Sequence, residues 1–365
     1  LHFEARQRRG VDTKVQSSLT HTLSLSLRFC LLSRAWMGGH QSVDRDGPGE
    51  GTSTPFSSDP PDAEVDEIGD VTELNQEDLA SLHSLEEEGP LYRPDGLSPE
   101  QRESLHQLAL LMEDKYEDAA ERHFCSESCL VRYLRARNFN AKKAARMLCD
   151  TLKWRRKEKP WSLTVEDVMD AARTGKLYAN GQDRAGRPVF YMRTGIDVDT
   201  EWRVKLNHIV YTLECMSFTL QEDMRDTPDN WIFLVDFKKQ AKKKRFRWGD
   251  MRVAYNVVNI LSNHFPDRVK NVVFFHASGG FRFLWKMISP FLSSETKKKF
   301  LFVRGEQEVQ HALLSRLIDD EHLEEEYGGR LPYGFKFEED FLPRMQELDR
   351  RRSELRQALL QSDPQ

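Results

Sequence analysis

Apolar positions change their spacing partway along the chain. Between residues 98 and 160 they recur every three or four positions, the period of a helix with one buried face. "LSPEQRESLHQLALLMEDKYEDAAERH" opens this region, with Ser98 placed as N-cap and Pro99 at the first helical position. In "SCLVRYLRARNFNAKKAARMLCDTLKWRRKEKP" the period is kept by Leu130, Tyr133, Leu134, Ala144, Met147, Leu148, Leu152 and Trp154. Asn138 and Asn140 interrupt the run and Pro160 ends it. Beyond it, short apolar runs predict strands at 187–193, 230–236, 271–277 and 299–303. Helical stretches at 201–221, 249–263, 280–289 and 306–317 separate or follow them. Strands alternating with helices predict an α/β fold with a mainly parallel sheet. A last amphipathic helix is expected at 339–360. No internal repeat is present.

These textures divide the chain into 1–97, a helical subdomain at 98–160, an α/β domain at 161–335 and a C-terminal helix at 336–365. Residues 38–97 are rich in Gly, Pro, Ser, Asp and Glu, the composition of a disordered acidic segment. The net charge of −5 conceals an asymmetry: residues 41–90 hold fifteen acids and one base, Arg45. The part from residue 91 onward is left near +5, and a basic folded part favours a phosphate-bearing partner. Five cysteines, an odd number without a C-x-x-C pair, argue against a disulfide framework or a zinc site and fit a reducing compartment. No apolar run reaches the roughly 18 residues of a membrane-spanning helix.

The chain starts at Leu1. Residues 1–36 read as an upstream region, a fragment edge, a transit peptide or a weak signal peptide. Met37 starts "MGGHQS", the pattern M-G-x-x-x-[ST], which makes Gly38 a myristoylation site if translation begins there.

Candidate chemistry is sparse. There is no G-x-x-x-x-G-K-[ST], G-x-G-x-x-G or H-E-x-x-H. "HASGG" places Ser278 at a strand-to-helix turn, as in a hydrolase nucleophile elbow, but His276 stands where that motif has its first glycine. An ordinary βα turn fits better, and nothing marks an acid and a base for Ser278. "KKQAKKKRFRWGD" sets seven bases beside Phe246 and Trp248. It reads equally as a solvated loop and as a contact for an anionic membrane through Lys242, Lys243, Lys244 and Arg245. No nucleic-acid module is recognisable. "GGFRFLWKMISPFLSSETKKKF" gathers Phe281, Leu284, Trp285, Ile288 and Phe291 on one helical face, which suits a plain buried helix or a lid over an apolar ligand.

Five stretches in order resemble the CRAL-TRIO lipid-transfer family. They are "LVRYLRARNFNAKKAARMLCDTLKWRR", "DRAGRPVFYM", "WIFLVDFKK", "HFPDRVKNVVFFHASGGFRFLWKMISPFLSSETKKKFLFV" and "LEEEYGGRL". The resemblance covers about 98–335 and implies a parallel sheet flooring an apolar lipid pocket, closed by a gate helix within 279–300. It implies no catalysis and no cofactor or metal beyond one bound lipid. From the family's phosphatidylinositol carriers it implies a headgroup site at Asp267, Arg268, Thr296 and Lys299. Where choline-lipid carriers have small hydroxyl residues this chain has Trp231 and Phe233, which argues for a different second ligand, such as a sterol, tocopherol-like or retinoid-like molecule. The expectation is a monomer, cytoplasmic and peripheral to anionic membrane, with Lys297 and Lys298 helping it dock. Two alternatives stand beside transfer: a lipid-regulated interaction protein, and a hydrolase using Ser278.

Overall fold

A computed structural model describes residues 96–196, 200–222, 229–238, 248–277, 281, 285, 297, 299–303, 307–332 and 335–362. All but Trp285 belong to one compact unit. The helical region begins with α1 (Pro99–Met112), and its first turn is closed by a capping box. The Ser98 hydroxyl accepts from the Gln101 N–H at 3.3 Å, and the Gln101 side chain accepts from the Ser98 N–H at 3.0 Å. Then come α2 (Ala119–Phe124), α3 (Glu127–Arg135) and α4 (Ala141–Glu158). Between α3 and α4 the backbone turns through left-handed residues, Asn138 (φ 49°) and Phe139 (φ 56°). Asn140 then caps α4, accepting from the Lys143 N–H at 3.0 Å. Phe139 is a costly residue for that conformation, and it packs against the helical core of Leu108, Met112, Tyr133, Leu134 and Leu148. Left-handed Lys159 ends α4 immediately before Pro160, which cannot continue a helix.

Two elements were not legible. α5 (Val165–Ala172) is short, and β1 (Leu177–Gln182) reads "LYANGQ", with no apolar run to mark it. β1 pairs antiparallel with β2 (Pro188–Arg193). β2, β3 (Trp231–Asp236), β4 (Val269–Phe275) and β5 (Phe300–Val303) are mutually parallel and lie in chain order. β4 starts and ends two residues earlier than the expected 271–277, and left-handed His276 (φ 51°) marks its end.

Each parallel crossover steps the same way across the sheet, so crossovers of one hand set their helices on one face. α6 (Trp202–Glu222) and α7 (Trp248–His264) share that face. Side chains then divide by the period of two. Phe190, Trp231, Phe233, Val235, Phe274, Phe300 and Phe302 point to the α6/α7 side. Val189, Tyr191, Ile232, Leu234, Val273, Phe275, Leu301 and Val303 meet α8 (Gln307–Leu314) and the segment up to Tyr327. Gly328 (φ 93°) and Gly329 close that segment. A Cβ on Gly329 would lie 2.0 Å from the Leu323 carbonyl oxygen, so "YGG" is a steric requirement. The C-terminal α9 (Leu342–Gln361) follows one turn of π-helix at Phe337–Phe341.

Candidate ligand-binding site

The two faces of the sheet are packed differently. On the α8 face the apolar side chains of β2 to β5 are buried. On the α6/α7 face Met192, Val272, Phe300 and Phe302 remain half-buried, as do Phe237 and Phe281 beside them. Interior strands of a parallel sheet are normally covered on both sides. Met192 and Val272 lie on the interior strands β2 and β4, Phe300 and Phe302 on the edge strand β5, and together they form a half-buried apolar row with largely aromatic neighbours. Phe274 lies 5.0 Å from Phe281, 5.1 Å from Phe302 and 6.0 Å from Phe300 between ring centroids. At the far end Phe233 stacks on Phe190 at 4.9 Å, and Phe190 meets the edge of Trp231 at 5.7 Å. Trp231 and Phe233 therefore fill their end of this face.

A charged cluster sits where β4 and β5 begin. Asp267 is left-handed (φ 58°), a conformation that Asp tolerates better than most residues. Its carboxylate lies 3.5 Å from Lys299 Nζ and 3.7 Å from the Arg135 guanidinium. All three groups are half-buried. The Lys299 ammonium also donates to the Val269 carbonyl at 3.1 Å, and the Lys299 carbonyl accepts from the Val272 N–H at 2.7 Å. Lys299 and Arg135 thus flank one carboxylate at the edge of the aromatic row. The fold thus brings Asp267 and Lys299 together and adds Arg135 from the end of α3. Sequence reading missed Arg135, since nothing local in "LRARNF" says that it meets residues over 130 positions away.

Arg268 has other work. It is buried, its guanidinium donates to the Asp229 carbonyl, and it covers the Trp231 ring at 5.5 Å. Arg132 of α3 pairs with the Asp229 carboxylate from the other side. Burial, and next the Arg132 charge, push the Arg268 pKa down to about 10 against the opposing pull of Asp229. The structure therefore separates Arg268 from the expected headgroup group and places it in a buried Arg132–Asp229–Arg268 network.

At the opposite ends of the strands, buried Asp236 accepts from His276 Nδ1 at 2.8 Å, the Tyr327 hydroxyl at 3.2 Å and the Lys238 N–H at 2.7 Å. Glu324, 0% exposed, accepts from Tyr178, Asn180 and Arg193 at 2.9 to 3.0 Å. These carboxylates tie "VDF" and "LEEEYGG" to neighbouring strands. Lys297 is exposed. Gly38, Lys242, Lys243, Lys244, Arg245, Ser278, Leu284, Ile288, Phe291, Thr296 and Lys298 lie outside the described residues. Among the described residues no cluster of three metal-ligating side chains occurs, and no helix is long and apolar enough to cross a membrane.

Comparison with known proteins places the chain in a family. A family model described as the CRAL/TRIO domain matches residues 172–329, and one described as the CRAL/TRIO N-terminal domain matches residues 99–150. A CRAL-TRIO domain-containing protein of Schizosaccharomyces pombe is 25% identical over 228 residues, covering 62% of this chain and 21% of its own length. The phosphatidylinositol transfer protein PDR17 of Saccharomyces cerevisiae is 29% identical over 231 residues, covering 60% of this chain and 61% of its own. The chain thus spans less than two thirds of the length of these relatives. The crystal structure of Sfh5 aligns with a TM-score of 0.48 at 15% identity, over 77% of this chain and 97% of that one.

Proposed function

The chain belongs to the CRAL/TRIO family, and from that premise we propose that it encloses one lipid on the aromatic face of its sheet and carries it between membranes. The observation that carries this reading is the half-buried row Met192, Val272, Phe300 and Phe302, which ends at the Arg135–Asp267–Lys299 cluster. An acyl chain laid along the row is removed from water at ~0.8 kcal/mol per CH₂. An anionic headgroup at the cluster meets Lys299 as a compact charge and Arg135 as a planar donor. Asp267, an acceptor, suits hydroxyl groups. Together they fit a phosphorylated polyol headgroup, and phosphatidylinositol is the proposed ligand. Trp231 and Phe233 leave little room for a choline headgroup at their end. The segment 280–291 serves as gate, and the bases at 238–247 and 297–298 draw the protein to anionic membrane. No step is covalent: the lipid leaves where its chains pass directly into a bilayer.

Native mass spectrometry of the purified protein should show one co-bound phospholipid. In transfer between vesicles, Lys299→Ala should slow phosphatidylinositol about tenfold, as expected for one lost charge-assisted hydrogen bond. Equal loss for every lipid tested, or no loss, would show that the headgroup lies elsewhere. Binding of phosphatidylinositol without vesicle-to-vesicle movement would make the protein a lipid sensor.

A further inference from the structure

We propose that the exposed face shared by α1 and α4 is a docking site for this chain's own acidic stretch, residues 71–90. Exposed apolar and exposed basic side chains meet on that face. Met112 at the end of α1 touches Cys149 in the middle of α4, sulfur to sulfur at 3.9 Å. Just before Met112, Leu110 and Leu111 are exposed by 56% and 39%. Leu110 lies two residues from both Leu108 and Met112, on the side of the helix opposite the core. On α4, Lys142, Arg146, Lys153 and Lys157 are exposed and recur at the spacing of one helical stripe, which runs beside Cys149. Of the 18 residues of α4 seven are bases and two are acids. Among the described residues Lys142 and Arg146 meet no carboxylate. Lys153 meets Asp150 at 3.7 Å and Lys157 meets Glu158 at 3.2 Å, all four exposed. At the end of α1 Glu113 and Asp114 are exposed, and Asp114 is taken up by Lys115 at 2.8 Å.

Charge, pattern and reach select the occupant. Residues 71–90 hold six acids and no Lys or Arg. Val71, Leu74, Leu79, Leu82 and Leu85 fall on one face at helical spacing, and Glu73, Glu77, Glu87 and Glu88 on the other. An acidic stretch of this kind folds on binding when a surface supplies both apolar and opposite-charge contacts. The tether is short. Leu85 precedes Gly96 by eleven residues, a span of at most about 37 Å. From Pro99 to Met112 α1 is about 20 Å long. The stretch therefore reaches both Leu111 and Arg146. So joined, it is present at its site at an effective concentration on the order of millimolar. Even a weak contact is then filled, and any other anionic partner of this face has to displace it.

The test uses the full chain and a carbodiimide, which joins a carboxylate to a lysine amine only where the two touch. Mass spectrometry should find links from the acids of 73–88 to Lys142, Lys143 or Lys153. Leu82→Ser and Arg146→Gln remove no reacting group, yet each should lower the yield of those links about fivefold, with the urea midpoint unchanged. Salt at about 0.5 M should lower it too, because exposed charges are then screened. Links spread evenly over exposed lysines, Lys336 included, overturn the proposal. So do links between heavy and light molecules in an isotope mixture, which assign the face to a second copy. An Arg146→Gln variant that keeps its links but loses binding to phosphatidylserine vesicles overturns it as well, and assigns the face to a membrane. The contact does not rest on the carrier reading, since no bound lipid enters it.

Discussion

His208 on α6 is fully buried, and its Nε2 has no hydrogen-bond partner. Burial penalises the charged imidazole and pushes its pKa down from 6.5 to about 4. The folded state therefore binds fewer protons than the unfolded state between those two values. Stability is fully present above about pH 6.5, falls as pH drops, and is lost from this residue by about pH 4. At pH 5 the loss is about 2 kcal/mol. Urea midpoints at pH 7 and pH 5 check this: the difference between them should shrink in His208→Leu. An unchanged difference would assign the acid sensitivity to other groups. The same principle, that surroundings decide what a residue does, separates Arg268 from Lys299. Each precedes or opens an apolar strand and each is basic. One is sealed against Trp231 and Asp229, and the other sits half-buried beside Asp267.

At the scale of elements, α9 is a strap. Met345 is buried against Val165, Val168, Tyr211 and Cys215, with Leu342 and Leu348 alongside. Its polar contacts converge on Asp349, which accepts from the Tyr211 hydroxyl at 2.9 Å and the Val165 N–H at 2.7 Å. Arg352 donates to the carbonyls of Pro160, Trp161 and Leu163. Arg356 covers the Trp161 ring at 4.4 Å and reaches Asp118 at 3.3 Å. One helix thus holds α2, α5 and α6. Asp349→Ala leaves the Val165 N–H, Tyr211 and Arg352 short of a partner and should cost about 2–4 kcal/mol. Hydrogen exchange in the first turn of α5 should rise with it. Protection there equal to that of the unaltered protein would show that apolar packing alone retains the strap.

At the scale of the whole molecule, the helical region and the sheet do not stand as separate bodies within the described residues. Arg155 on α4 makes a bidentate bond to Glu214 on α6 at 2.6 and 2.8 Å, both residues buried. Arg132 pairs with Asp229 before β3, and Trp154 stacks on His264 of α7. Removing one partner of a buried pair strands the other charge, at a cost of about 3–5 kcal/mol. Unfolding followed by far-ultraviolet circular dichroism and by tryptophan fluorescence should give one shared transition. In Glu214→Ala the free energy of unfolding should fall by that amount. Separate transitions in the unaltered protein would mean that the two parts fold independently.

Much of this architecture is readable from residues alone. The period of three to four over 98–160, the cap at Ser98, the break at Asn138 and Asn140, and the four apolar runs of the parallel sheet are local facts. Local spacing decides local structure because one buried face imposes one period. β1 escaped because "LYANGQ" holds its place through pairing with β2 and through Tyr178 and Asn180 on Glu324, not through its own apolar content. Asp267 and Lys299 could be singled out as residues, but not their shared partner. Arg135 reaches that cluster only because α3 packs beside the starts of β4 and β5, a meeting of distant segments that no local pattern encodes. The same holds for Arg268, whose neighbours Asp229, Arg132 and Trp231 turn an apparent ligand group into part of the core.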